Sequence, residues 1–122
     1  RIFNDRIAEE VSGAGVFRFF FRFVGLYLDA QNGLLCKETI SIGSLNTTRT
    51  HPREILFPAV VHLALGFILA HNHPSGVAEP SQADERITRR LKSALELVDI
   101  RLLDHLIIGD GRATSLAARG IL

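Results

Sequence analysis

His71-Asn72-His73-Pro74-Ser75-Gly76-Val77-Ala78-Glu79-Pro80-Ser81-Gln82-Ala83-Asp84 joins an apolar run to an amphipathic one. The preceding Gly66-Phe67-Ile68-Leu69-Ala70 reads as a buried strand, because a compact apolar run bounded by turn signals is too short for a helix. His71 and His73 therefore stand at a strand exit. Residues i and i+2 of an extended chain share a face, roughly 6.6 Å apart along the backbone, so the two imidazoles can converge on one ion while Asn72 points away. Pro74, Ser75, Gly76 and Pro80 make the next segment a constrained loop, and a helix opens at Ser81. The loop can swing Asp84, in the first helical turn, back toward the histidines. Two neutral nitrogens and a carboxylate match the three protein ligands that zinc commonly takes in hydrolytic sites, where a fourth position is kept for water.

Each piece also has a plainer reading. Ser81 fits a helix N-cap, and an acidic Asp84 in the first turn suits the helix dipole. Two histidines at i, i+2 can be hydrogen-bonded core or surface residues. The conjunction of apolar strand, His-x-His, Pro/Gly loop and Ser-x-x-Asp at fixed spacing favours the metal reading over its separate alternatives.

The 122 residues suffice for one domain with a real core, spanning 1–122. Apolar residues make up 47% and the net charge is +1, which argues against disorder and does not force a nucleic-acid partner. Cys36 is the sole cysteine, which excludes an intrachain disulfide and a multi-thiolate zinc cluster and suits the cytoplasm. It reads as a small packed hydrophobe rather than a nucleophile. No apolar run approaches the roughly 20 residues that span a bilayer, and no signal peptide opens the chain, so no membrane role is expected.

In chain order, Arg1 to Val11 carries a partial helical stripe. Val16 to Asp29 is aromatic and β-branched enough for a long central strand. Asp29-Ala30-Gln31-Asn32-Gly33 is a turn, since Asn-Gly readily adopts positive φ, and Leu34 to Ile42 is the return strand bearing Glu38. Gly43 to Thr50 is polar loop. His51-Pro52-Arg53-Glu54 starts a helix running to about Leu63, with His51 structural and His62 near the last carbonyls. The helix after Ser81 places Ile87, Leu91, Ala94, Leu95 and Val98 on one face. Its other face carries Arg86, Arg89, Arg90 and Lys92, which suits phosphate contact or, with Glu85 and Glu96 four residues from Arg89 and Lys92, an ordinary solvated surface. Ile100 to Ile108 is a strand, Gly109-Asp110-Gly111 its turn and Arg112 to Ser115 a short return. Asp104 and His105 face opposite sides, His105 reading as a hydrogen-bonded core histidine or as a residue behind the site. The order gives an α/β fold: a mixed sheet flanked by helices, with the histidine strand internal.

His-x-His-Pro followed by Ser-x-x-Asp, with seven residues between His73 and Ser81, resembles the zinc motif of the JAMM/MPN metallopeptidases. Leu26-Tyr27-Leu28-Asp29, His51-Pro52-Arg53-Glu54, Ile68 to Gly76, Ile87-Thr88-Arg89-Arg90-Leu91 and Leu103-Asp104-His105-Leu106-Ile107 extend the resemblance to the bacterial RadC branch over about residues 17 to 122. The resemblance implies a JAB/MPN-like fold with cytidine-deaminase-like layering, in the C-terminal domain of a longer protein that carries a helix-hairpin-helix segment before it. It implies zinc (Zn2+) held by His71, His73 and Asp84, with Ser81 catalytic through stabilisation of the tetrahedral intermediate of peptide or isopeptide hydrolysis.

One position departs from the pattern. The family's catalytic glutamate, the proton acceptor for zinc-activated water, stands eight residues before the aspartate that is Asp29 here, and that position is Phe21. A phenyl ring cannot accept a proton. Glu38 reads as a surface charge or as a substitute base. Three classes of function follow: a zinc metallopeptidase-like hydrolase acting on a peptide or protein substrate, an inactive module that only binds protein, and a DNA-associated accessory domain of weak affinity. Zinc deaminases are excluded, because His-x-Glu with Pro-Cys-x-x-Cys is missing.

Overall fold

The computed structural model describes residues 21–43, 52–73 and 76–122. The expected first helix, residues 16–20 of the first strand, the loop before the second helix, His51, Pro74 and Ser75 lie outside the described residues.

Among the described residues, five strands form one sheet, β1 (Phe21–Leu28), β2 (Leu34–Gly43), β3 (Gly66–Asn72), β4 (Arg101–Gly109) and β5 (Arg112–Ser115), in the order β2-β1-β3-β4-β5. Only β3 and β4 run parallel. Parallel neighbours need a long crossover, and α2 (Gln82–Glu96) supplies it; α1 (Pro52–Val61) precedes β3. The sheet is mixed, as its sequence suggests, and the histidine strand is its middle member. Every residue of β3 is buried, which matches a near-continuous apolar run covered on both faces.

Alternation along the strands separates two cores. Tyr27, Phe67 and Leu69 face Ile55 and Ala59 of α1 and Leu91 and Leu95 of α2. Val24, Leu26, Leu28, Ile68, Ala70, Leu106 and Ile108 form the core on the opposite face. Tyr27 Oη donates to the Ile55 carbonyl at 2.8 Å, so the largest buried side chain of β1 also fixes α1 against the sheet. Its phenol loses ionisability through burial first and then through Cys36 and Glu38 nearby.

Both helices of the described residues end in the same way. Leu63 (φ 53°) and Asp99 (φ 57°) take left-handed conformations, and the next residues close back by Ala64 N–H to Ala59 O and Ile100 N–H to Leu95 O, each 2.9 Å. These are Schellman closures without glycine, and each hands the chain directly to a strand, α1 to β3 and α2 to β4. Val98, expected on the apolar helical face, instead lies past the end of α2 and is exposed, whereas the polar Asp84 and Thr88 occupy buried positions on it.

The two hairpins differ. At Asp110-Gly111 both residues have positive φ and Gly109 pairs with Arg112, the two-residue turn that suits strand twist. At Asn32-Gly33 only Asn32 is left-handed. The loop closes through the Asp29 carboxylate, which accepts from Gln31 N–H (2.9 Å) and Gly33 N–H (2.7 Å). Among the described residues no helix is long and apolar enough to cross a membrane.

A candidate metal centre at the end of the central strand

The site is assembled where β3 leaves the sheet. His71 continues the face of Phe67 and Leu69, 1% exposed, and stacks on Phe23 of β1 with centroids 4.7 Å apart and planes at 19°. Asn72 turns to the other face and accepts the Arg22 N–H at 2.6 Å, which clamps the ends of β1 and β3 together at the site. His73 N–H continues the ladder to Ile108 O at 2.8 Å, so the second imidazole is also held by the sheet.

The loop returns over the end of β4. A Cβ at Gly109 would lie 2.6 Å from Gly76 O and 2.7 Å from Ala78 N, so the loop crosses β4 closely enough that only glycine fits. This seat brings the Val77 carbonyl to 2.9 Å from His73 Nδ1. Glu79 is tied to Arg119 by two contacts, 2.5 and 3.2 Å, which holds the outer part of the loop.

Ser81 is the N-cap of α2, at φ −93° and ψ 167°. Its Oγ accepts from Asp84 N–H (3.1 Å) and its own N–H donates to Asp84 Oδ2 (2.7 Å), a reciprocal capping box. The cap thus aims the carboxylate it uses: Asp84 Oδ1 lies 3.0 Å from His71 Nε2 and Oδ2 lies 3.0 Å from His73 Nε2. Capping and convergence on the histidines, alternatives on the sequence alone, are two uses of one side chain.

The structure brings His71, His73 and Asp84 together, with one potential ligand atom from each within 4.8 Å of the others. The donor set fits a cation. His73 Nδ1 faces a carbonyl, which can only accept, so a neutral His73 carries its proton there and turns a bare Nε2 toward Asp84. A lone pair 3.0 Å from a carboxylate oxygen is repulsive unless a proton or a metal ion lies between them. The electrostatics agree. Burial lowers the pKa of His71, against the pull of Asp84. The Asp84 hydrogen bond raises that of His73 against burial. Burial of Asp84 opposes its ionisation, but the contacts from His71, His73 and Ser81 outweigh it and hold the carboxyl well below the usual carboxylate range.

Two further residues reach the site. His105, fully buried on β4, lies 2.7 Å from His71 Nδ1 through its Nε2, and its Nδ1 is 2.6 Å from Thr88 Oγ1. His105 is both the hydrogen-bonded core histidine and the residue behind the site that the sequence offered as alternatives. Thr88 was not legible as part of the site; its position four residues after Asp84 on one helical face was the available signal. Asp104 faces the other way, accepting from His105 N–H, Ser115 Oγ and Ala117 N–H, and so fixes the strand that carries His105.

Glu38 is elsewhere. It lies on edge strand β2, two strands from β3, and its carboxylate gathers with Cys36 and His62 in a second group of ligand-type side chains within 4.8 Å. Cys36 Sγ is 3.9 Å from Glu38 Oε1, and burial, then the Glu38 charge, push the thiol pKa up. His62 therefore contributes to this edge group as well as closing α1, where its N–H donates to Pro58 O. Phe23 pairs with His71 across β1 and β3, beside the histidine site.

A family model described as the RadC-like JAB domain matches residues 21–121. A protein named UPF0758 from Cellvibrio japonicus is 56% identical over 100 residues, 82% of this chain and 45% of that protein. Similar proteins from Nitrosococcus oceani and Halorhodospira halophila are 57% identical over 97 residues and 50% over 100, covering 80% and 82% of this chain and 43% and 45% of their own lengths. The chain thus spans under half the length of these relatives. With the mixed sheet and the His/His/Asp group at the end of its central strand, this match over nearly the whole described fold makes the chain a member of the RadC-like JAB domain family.

Proposed function

We propose that this domain is a zinc-dependent, JAMM-type metallopeptidase-like hydrolase acting on peptide or isopeptide bonds. The observation that carries the reading is the convergence of His71 Nε2, His73 Nε2 and both Asp84 oxygens, with His71 and Asp84 buried. Two imidazoles and a carboxylate are the ligand chemistry of hydrolytic zinc sites. A zinc ion held there would polarise a carbonyl and lower the pKa of water from 15.7 to about 7. The chain's own residues divide the remaining work. His71 and His73 are immobilised by the sheet and by their Nδ1 contacts, and Asp84 is immobilised by the cap. Ser81 is exposed, and its Oγ accepts from Asp84 N–H, which leaves the hydroxyl proton free to donate to an oxyanion beside the site.

A second reading, a protein-binding module that keeps the metal pocket without turnover, is favoured by one position. Phe21 stands where the family pattern has its glutamate, and Glu38 lies at the sheet edge with Cys36. A positioned proton acceptor typically contributes about 10²–10⁴-fold. The discriminating experiment is hydrolysis of a peptide and isopeptide library by wild type, Phe21→Glu and Glu38→Gln, each with and without zinc. Zinc-dependent turnover that rises in Phe21→Glu supports the hydrolase reading with a lost base. Turnover in neither wild type nor Phe21→Glu, with zinc bound in both, favours the binding module. Loss of wild-type activity in Glu38→Gln would make Glu38 the base.

A further inference from the structure

We propose that His105 and Thr88 are positioning residues of the metal centre: they lock His71 into the tautomer with a bare Nε2 and join it to Asp84 in one closed ring. The inference rests on the reading of His71, His73 and Asp84 as metal ligands, and it assigns roles to two residues outside that set.

The direction of each hydrogen bond follows from the one that allows no choice. Thr88 Oγ1 lies 2.7 Å from the backbone carbonyl of Asp84. A carbonyl only accepts, so the single hydroxyl proton of Thr88 is committed there. Thr88 Oγ1 is also 2.6 Å from His105 Nδ1. With its proton already used, the hydroxyl must accept, and Nδ1 of His105 is the donor. His105 is 0% exposed, and a second proton on it would create a buried cation against the ring of His71. Its Nε2 is therefore an acceptor, and the group 2.7 Å away must be an Nδ1–H of His71. A neutral His71 protonated at Nδ1 has its lone pair on Nε2, the atom 3.0 Å from Asp84 Oδ1.

The path closes on itself. It runs from the Asp84 main chain through Thr88, His105 and His71 back to the Asp84 carboxylate. It crosses three elements, since His71 is on β3, His105 on parallel β4 and both Asp84 and Thr88 on α2. A shift of any one element alters the geometry of both ligands. Metal-binding histidines almost always donate their second N–H to a carboxylate, a carbonyl or water. Here the acceptor is a neutral imidazole, so it orients His71 without adding charge behind the ion.

Two measurements test this. The first needs no variant: nitrogen-15 NMR of zinc-loaded wild type should show His71 protonated at Nδ1 and neutral His105 protonated at Nδ1. A proton on Nε2 of His105, or a doubly protonated His105, would overturn the proposal whatever the variants do. The second is zinc affinity by competition with a chromophoric chelator, at a temperature where each protein is folded. His105→Leu and Thr88→Val should bind zinc about 10–100-fold more weakly, the usual effect of losing an outer partner. His105→Gln, which restores an acceptor, and Thr88→Ser, which restores the hydroxyl, should recover most of the loss. Equal zinc affinity in wild type, His105→Leu and Thr88→Val would refute the positioning role while leaving the metal site standing. Failure of wild type to bind zinc at all would instead remove the metal reading itself, and this inference with it.

Discussion

Gly109→Ala tests how the site is held, at a residue outside the His71, His73 and Asp84 group. A Cβ at this position would sit 2.6 Å from Gly76 O, 2.7 Å from Ala78 N and 2.8 Å from Gly76 C, all main-chain atoms. Ordinary carbon contacts begin near 3.5 Å, so the loop must retreat by roughly 0.8 Å. Main chain cannot yield as the tip of a flexible side chain can, and overpacking of this kind typically costs about 1–3 kcal/mol. For a domain of this size a loss of about 2 kcal/mol lowers Tm by roughly 5–10 °C. The second consequence concerns the metal. Val77, between the two clashing residues, holds His73 Nδ1 at 2.9 Å through its carbonyl. A retreat of about 0.8 Å along that bond would take it beyond hydrogen-bonding distance. His73 would lose its orienting partner, and zinc affinity should fall by about 10-fold or more. Thermal melts in chelator give the first quantity, and zinc competition well below Tm gives the second. A variant with wild-type Tm would refute the packing argument. One with lowered Tm but unchanged zinc affinity would refute the link from Gly109 through Val77 to His73.

Other outcomes follow from the same geometry. Wild type purified without chelator or affinity tag should carry one zinc per chain by elemental analysis, and stoichiometric zinc persisting in the triple variant His71→Ala, His73→Ala, Asp84→Ala would refute the ligand assignment. One equivalent of cobalt(II) should bind without a thiolate-to-metal charge-transfer band, since the sole cysteine belongs to the edge group with Glu38 and His62; a strong band would place the ion there. Ser81→Ala should lower Tm with zinc saturated by an amount matching about 1 kcal/mol, the usual loss of an N-cap, and an unchanged midpoint would mean that the Ser81–Asp84 cap contributes nothing. Without metal, the raised pKa of His73 stabilises the fold below its ordinary value of 6.5, a contribution lost as pH rises through the folded value. Zinc requires the neutral form, so the zinc-induced rise in Tm should shrink as pH falls through the raised folded value of His73; a rise independent of pH between 5 and 8 would contradict imidazole ligation. DNA binding, if measured on this domain, should be weak, salt-dependent and carried by exposed Arg86, Arg89, Arg90 and Lys92; tight binding surviving their charge reversal would contradict this.

By itself the sequence determined the elements and the three converging residues. The apolar run Gly66–Ala70, the periodicity after Ser81 and the Pro/Gly loop between them are local signals, and local signals suffice where backbone propensity and burial agree. His71, His73 and Asp84 were legible as a group because they lie within fourteen residues on one strand, loop and helix start. The sequence also determined that a phenyl ring occupies position 21. Everything that depends on strands meeting from afar was decided by tertiary structure. Register across parallel β3 and β4 sets His105 behind His71, although 34 residues separate them. The crossing of the loop over β4 makes Gly109 indispensable. The sheet order carries Glu38 to the far edge, where it meets Cys36 and His62. Hydrogen-bond direction in the ring through Thr88 is likewise a tertiary property, because a hydroxyl's single proton is assigned only when all its neighbours are known.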